Sequence, residues 1–191
     1  MKRLLLAFIL AVGCTGTVLA DSAADALASA RSHLSALTSY RLVYEEDAGT
    51  TQIDYTAPDR LRITSPQAET LMIGGAVWLK GDSGWSPAAV NARIELLLAR
   101  VQSDEPLAVN VGDTVSDGGT ETIAGTAMHR YLVVSGSDSS VRRSIWISVK
   151  TGLPFRVVKS VGDSRLTASY SAFGKDFGIV APGKLDSTLH S

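Results

Sequence analysis

Thr51-Gln52-Ile53-Asp54-Tyr55-Thr56, the turn residues Ala57-Pro58-Asp59, and Arg60-Leu61-Arg62-Ile63-Thr64 decide the fold class. Ile53 and Tyr55 alternate with Gln52, Asp54 and Thr56, while Leu61 and Ile63 alternate with Arg60, Arg62 and Thr64. A period of two puts one set on an apolar face and the other on a wet face of a β-strand. Upstream, Tyr40, Leu42 and Tyr44 alternate in the same way. Working outward, the same reading predicts strands over residues 40–46, 51–56, 61–64, 70–73, 76–80, 107–111, 120–124, 128–134, 141–149, 155–161 and 165–173. Gly74-Gly75, Gly81-Asp82-Ser83-Gly84, Asp117-Gly118-Gly119 and Gly162-Asp163 read as turns between them, and residues 135–140 as a hairpin tip. About eleven antiparallel strands in one sheet must curl or close.

Two segments break the β pattern. Residues 22–37 carry Leu27, Ala30, Leu34 and Leu37 on one stripe, with Ser22 and Asp25 resembling a capping box at the start. Residues 87–102 open with Pro87, suited to the first position of a helix, and carry Val90, Ile94, Leu97 and Val101 on a stripe widened by Leu96 and Leu98. The expected fold is therefore α+β: an unclosed antiparallel β half-barrel of about eleven strands, covered by an N-terminal helix and a central lid helix. Two helices are few for so large a sheet, and that leaves room for a cavity.

The N-terminus reads as a secretory signal peptide. Lys2 and Arg3 precede an apolar run over residues 4–12 that is too short to span a bilayer, and Val18-Leu19-Ala20 offers a cleavage site after Ala20. The expected organisation is a signal peptide over residues 1–20 and a single domain over residues 21–191, long enough to bury roughly 70% of its unfolded surface. Ala11-Val12-Gly13-Cys14 offers the alternative of a lipid-anchored form with Cys14 as its first residue. Cleavage after Ala20 removes the chain's one cysteine and two basic residues, taking the net charge from −1 to −3. The remaining chain has no basic run, which argues against nucleic acid as a partner.

No catalytic set emerges, so an enzyme is not expected. Gly81-Asp82-Ser83-Gly84 resembles the nucleophile motif of trypsin-like proteases, but His33 is the only histidine before it and stands about fifty residues upstream on a helix. His33, His129 and His190 have no second ligand at metal spacing, so no metal is expected. Gly74-Gly75 and Gly118-Gly119 do not open helices, and no cofactor is implied. Glu45-Glu46 and Asp104-Glu105 read as solvated charges.

A series of short motifs resembles the LolA-like superfamily of periplasmic lipoprotein carriers, which includes the LppX/LprG-type lipoproteins of actinobacteria. Tyr55-Thr56-Ala57-Pro58-Asp59-Arg60-Leu61-Arg62-Ile63 is followed by Glu69, then Met72-Ile73-Gly74-Gly75-Ala76-Val77-Trp78-Leu79-Lys80 and Gly84-Trp85. Farther on stand Ile145-Trp146-Ile147-Ser148-Val149-Lys150-Thr151-Gly152-Leu153-Pro154 and Tyr170-Ser171-Ala172-Phe173-Gly174. The resemblance covers residues 22–183 in order. It implies a periplasmic protein that carries acyl chains of lipoproteins or lipids in an apolar cavity, with inner- and outer-membrane transfer proteins as partners. It departs at Ala57, where carriers of the family have a basic residue before the proline. A lipid or glycolipid ligand, or a sensor of envelope lipoproteins, remains open at that point. Alternation selects Leu42, Tyr44, Ile53, Tyr55, Leu61, Ile63, Leu71, Ile73 and Trp78 as cavity-lining residues, with Ile94 and Leu97 from the lid. A filled core has the same composition, so a non-catalytic regulatory or structural envelope protein of the same fold is the alternative.

Overall fold

Antiparallel pairing organises the computed structural model, which describes residues 18–90, 95 and 105–183. The chain begins with α1 (Val18–Ser35) and continues into β1 (Ser39–Glu46), β2 (Gly49–Thr56), β3 (Arg60–Thr64), β4 (Glu69–Ile73), β5 (Ala76–Gly81) and β6 (Gly84–Ala88). A 3-10 turn at Glu105–Leu107 precedes β7 (Thr114–Ile123), β8 (Thr126–Val134), β9 (Val141–Ser148), β10 (Pro154–Val161) and β11 (Ser164–Ser171). All eleven strands form one sheet in the order β6-β5-β4-β3-β2-β1-β11-β10-β9-β8-β7. β1 and β11 are neighbours at the centre, and β6 and β7 are the two free edges, so the sheet is unclosed.

The expected pair of covering helices is corrected to one: α1 is the single α-helical element among those described. Pro87 does not start a helix. It lies in β6, paired with Trp78, on an edge strand where a residue without an N–H is tolerated. The same property that suits proline to the first turn of a helix suits it to a sheet edge. Residues 91–94 and 96–104 lie outside the described residues, and with them Ile94 and Leu97.

α1 starts at Val18 rather than Ser22, so the expected capping box falls inside the helix. Leu27, Ala30 and Leu34 of the expected stripe are at most 1% exposed, whereas Leu37 lies beyond the helix end at Ser35 and is half-buried against the core. The helix lies chiefly against β7, with further contact to β10 and the 3-10 turn. Leu27, Leu34, Leu42, Ile53, Leu107, Val133, Ile145 and Val157 are among the residues of a single apolar core on the inner face of the sheet. Burying each Leu or Ile there contributes about 1.5–3 kcal/mol relative to exposure.

Two further expectations change. Residues 107–111 form no strand; Leu107 ends the 3-10 turn and is 1% exposed, anchoring the segment to the core. Asp117-Gly118-Gly119 is not a turn between strands but an irregularity inside β7, where the register to β8 shifts between Asp117 and Thr120. A Cβ at Gly118 would stand 3.0 Å from the Arg130 carbonyl oxygen, and Gly119 has φ +80°, so both positions need glycine. The strand count matches expectation only because β6 takes the place of the lost strand.

Candidate functional site

Register decides which side chains meet. Tyr40 pairs with Tyr55 and Tyr55 with Leu61, while Leu42 pairs with Ile53 and Ile53 with Ile63. Leu42, Tyr44, Ile53, Tyr55, Leu61 and Ile63 therefore form one array on the inner face, all within or packed against the core. Tyr40 and Tyr55 are in tilted contact with ring centroids 5.2 Å apart.

Leu71, Ile73 and Trp78 take the other face. Leu61 pairs with Met72 and Met72 with Val77, so Met72 and Val77 point inward. Leu71 pairs with Arg62 and Trp78, Ile73 with Arg60 and Ala76. Leu71-Met72-Ile73 is apolar at three successive positions, so alternation within β4 has no unique phase. The Thr64–Glu69 and Ile73–Ala76 closing pairs of the two turns set it instead.

A cleft of about 310 Å³ opens at one end of the inner face. Tyr44, Val157 and Leu166 give it apolar walls from three central strands, and Pro106, Ala108, Asn110 and Asp113 line it from the segment before β7. Lys159 and Arg143 supply its cationic side.

Arg143 holds this segment to the sheet. Its Nη2 donates to Asp113 Oδ2 at 2.9 Å, and its Nη1 donates to the Pro106 carbonyl at 3.4 Å and to the Ala108 carbonyl. Arg143 and Asp113 side chains are 9% and 3% exposed. Asp113 also accepts from the backbone N–H of Asn110 at 3.0 Å and of Gly136 at 3.2 Å. Burial raises the Asp113 pKa, but the Asn110 and Gly136 N–H groups and the Arg143 guanidinium outweigh it, leaving the carboxyl below the ordinary aspartate range. Gly136 approaches so closely that an added Cβ would stand 2.2 Å from the Gly112 carbonyl oxygen.

Of the described lining of this cleft, Tyr44 is among the residues that alternation selects; Arg143, Asp113 and the others are not. One signal was present: Arg143 occupies the apolar phase of Val141, Ile145 and Ile147. A charge at a core position of a strand needs internal acceptors, and here three are provided.

The remaining candidates are elsewhere. Asp82 and Ser83 form the two-residue turn between paired Gly81 and Gly84, consistent with a hairpin rather than a nucleophile. His129 Nε2 lies 2.7 Å from Asp117 Oδ1, and its ring stacks on Tyr131 at 4.7 Å. The Gly119 N–H and then His129 hold the Asp117 pKa down, while burial and then Asp117 push that of Tyr131 up. His190 lies outside the described residues. Among the described residues no group of three or more His, Cys, Asp or Glu could hold a metal ion, and no helix is long and apolar enough to cross a membrane.

No protein-family model and no curated protein sequence matches this chain. Solved structures do match. The Mycobacterium tuberculosis lipoprotein LppX aligns with a TM-score of 0.63 at 16% identity, covering 84% of this chain and 99% of that one. LprF from Mycobacterium bovis aligns with a TM-score of 0.65 at 14% identity, covering 85% and 97%. At these identities the likeness is one of fold: both proteins share the half-barrel over nearly their whole length.

Proposed function

We propose that this chain is an exported, non-catalytic envelope protein that binds acyl chains of lipoproteins or lipids. The observation that carries the reading is the cleft at the end of the inner face, where the apolar Tyr44, Val157 and Leu166 meet the polar Asn110, Asp113, Arg143 and Lys159, beside the apolar array of Leu42, Ile53, Tyr55, Leu61 and Ile63. The shared fold with LppX and LprF, and the motif resemblance to the LolA-like superfamily, support the same reading. Each CH₂ withdrawn from water gains about 0.8 kcal/mol, so an acyl tail is held by an apolar wall without specific bonds. Release follows when a membrane or a transfer protein offers a better apolar site. The signal peptide over residues 1–20 and the domain over residues 21–191 belong to this reading. Cleavage after Ala20 trims the first three residues of α1 and spares its buried Ala23, Leu27, Ala30 and Leu34.

A second reading rests on the burial of the array itself. Leu42, Ile53, Leu61 and Ile63 are at most 3% exposed, as side chains of a filled core are. A regulatory or structural envelope protein that acts through its surface would have such an inner face.

Native mass spectrometry of the protein purified gently after export, followed by lipid extraction, separates the two. Co-purified acyl lipid that is lost on Leu166→Glu, at the cleft wall, supports the carrier. A lipid-free protein that also fails to bind a fluorescent fatty acid overturns it in favour of the filled core.

A further inference from the structure

The outer face of β8–β11 carries a segregated positive charge that the acyl-binding reading does not use. Alternation and register place Arg130 from β8, Arg142 from β9, Arg156 from β10 and Arg165 from β11 on that face. The other side chains there are Thr126, Met128, Leu132, Val134, Ser144, Trp146, Ser148, Val158, Ser160, Thr167, Ser169 and Ser171, so the four strands present no carboxylate outward. Four arginines stand together on a chain whose net charge is −1.

Their bonding differs from that of Arg41, Arg62 and Lys80 on the other side of the sheet, although Arg60 there also donates to a carbonyl, that of Ile179 at 3.3 Å. There, Arg41 is held by Asp54 at 2.6 Å, and Lys80 and Arg62 by Glu69 at 2.7 and 3.8 Å. Among the described residues no carboxylate lies within ion-pair distance of Arg130, Arg142, Arg156 or Arg165, whereas a pair is found for each of Arg41, Arg62 and Lys80. Arg130 donates to the Gly118 carbonyl at 3.3 Å, and Arg156 stands over the Phe155 ring at 5.3 Å. The Nε atoms of both are buried without a hydrogen-bond partner, as is that of Arg62 on the other wing. Trp146 pairs with Arg130 on one side and Arg156 on the other, and its indole N–H donates to Glu121 on the neighbouring edge strand at 2.5 Å.

We propose that this face docks on a membrane surface rich in anionic phospholipid headgroups. Guanidinium forks match phosphate oxygens, and an indole among them is the side chain favoured at a headgroup boundary. β8–β11 are interior strands, with both edges already hydrogen-bonded, so a polypeptide has no free strand edge here to extend. The face instead presents side chains along one surface, the geometry that a sheet of headgroups meets. Val141 and Leu166 of the cleft, next in sequence to Arg142 and Arg165, point to the inner face, so docking by the outer face leaves the cleft on the side away from the bilayer. The proposal stands apart from the acyl-binding reading: a filled core would leave it intact.

The test uses the exported chain carrying Cys14→Ala, which cannot be acylated there, with vesicles of phosphatidylcholine alone or mixed in equal parts with phosphatidylglycerol. Binding to the anionic vesicles is expected, falling steeply as salt rises from about 0.1 M to about 0.5 M. Arg142→Gln with Arg165→Gln, both at exposed positions, is expected to weaken it about fivefold per arginine, roughly 25-fold together. Lys80→Gln on the opposite wing is expected to leave it unchanged. Equal binding to neutral vesicles, salt-insensitive binding, or no effect of the double variant would overturn the proposal. So would indifference to vesicles combined with arginine-dependent retention on polyglutamate, which would assign the face to an acidic polypeptide. Vesicle binding by a protein that yields no acyl lipid supports docking while removing the carrier reading.

Discussion

The two wings of the sheet, β2–β6 and β7–β10, flank the same central strands and handle charge in opposite ways. In the first wing the inner face is apolar, with Ile53, Leu61, Ile63, Met72 and Val77 buried; of its outer cations Arg62 and Lys80 are paired with Glu69, Arg60 donates to the Ile179 carbonyl, and Asp54 holds Arg41 of the adjoining β1. In the second, charge enters the inner face through Arg143 and the His129–Asp117 pair, and among the described residues no carboxylate pairs with the outer arginines. Charges bonded within the chain contribute to holding the fold and offer little to a partner. Unbonded charges on a folded surface keep their field available to whatever approaches. The first wing therefore reads as scaffold, and the second, with the cleft at its end, as the side that meets other molecules.

Core truncation on each side of that contrast gives the largest expected effect. Ile53→Ala, at a position with no exposure, should cost about 2–5 kcal/mol in chemical denaturation. Leu166→Ala, half-buried at the cleft wall, should cost roughly 1 kcal/mol. Equal costs would mean that the cleft side is packed as tightly as the scaffold side. Next, Asp113→Ala leaves the Arg143 guanidinium without its carboxylate and should cost about 2–3 kcal/mol.

Acid titration sharpens the same point. The folded Asp113 pKa is lowered, so its stabilisation is present above the ordinary aspartate value and is lost as pH falls through the lowered one. Asp113→Asn should flatten the acid limb of the stability profile below the ordinary aspartate range; an unchanged limb would break the assignment. In the scaffold wing, a double-mutant cycle on Arg41 and Asp54, bonded through two parallel contacts of 2.6 and 3.0 Å, should show coupling of about 1 kcal/mol. The smallest effect is expected from Lys80→Ala. The Lys80–Glu69 pair is half exposed on the lysine side, so its loss should cost well under 1 kcal/mol and fade with salt.

Strand existence was legible wherever alternation was strict. Ile53–Tyr55 and Leu61–Ile63 each have a single apolar phase, Tyr40–Leu42–Tyr44 is interrupted by Val43 but kept in phase by Arg41 and Glu45, and all face inward. The phase of Leu71-Met72-Ile73 was not legible, because three adjacent apolar residues satisfy either face and only the flanking turns choose. Proline fits both a first helical turn and a sheet edge, so the sequence around Pro87 suits either, and only the pairing with Trp78 distinguishes them. Gly118-Gly119 has the composition of a turn, and its place within β7 depends on Arg130 across the ladder. The cleft was invisible for a similar reason: Asp113 and Arg143 are thirty positions apart, and nothing local to either announces the other.

The sequence by itself determined the curved antiparallel sheet, the amphipathic N-terminal helix and the absence of any basic run, because each follows from short-range periodicity or composition. Tertiary structure alone decided the face of β4 and β5, the conversion of Pro87 to an edge strand, the Arg143 anchor beneath the cleft, and the gathering of Arg130, Arg142, Arg156 and Arg165 on one surface. Those depend on register between strands and on contacts between distant segments, and register is a property of pairs of strands rather than of any one stretch of chain.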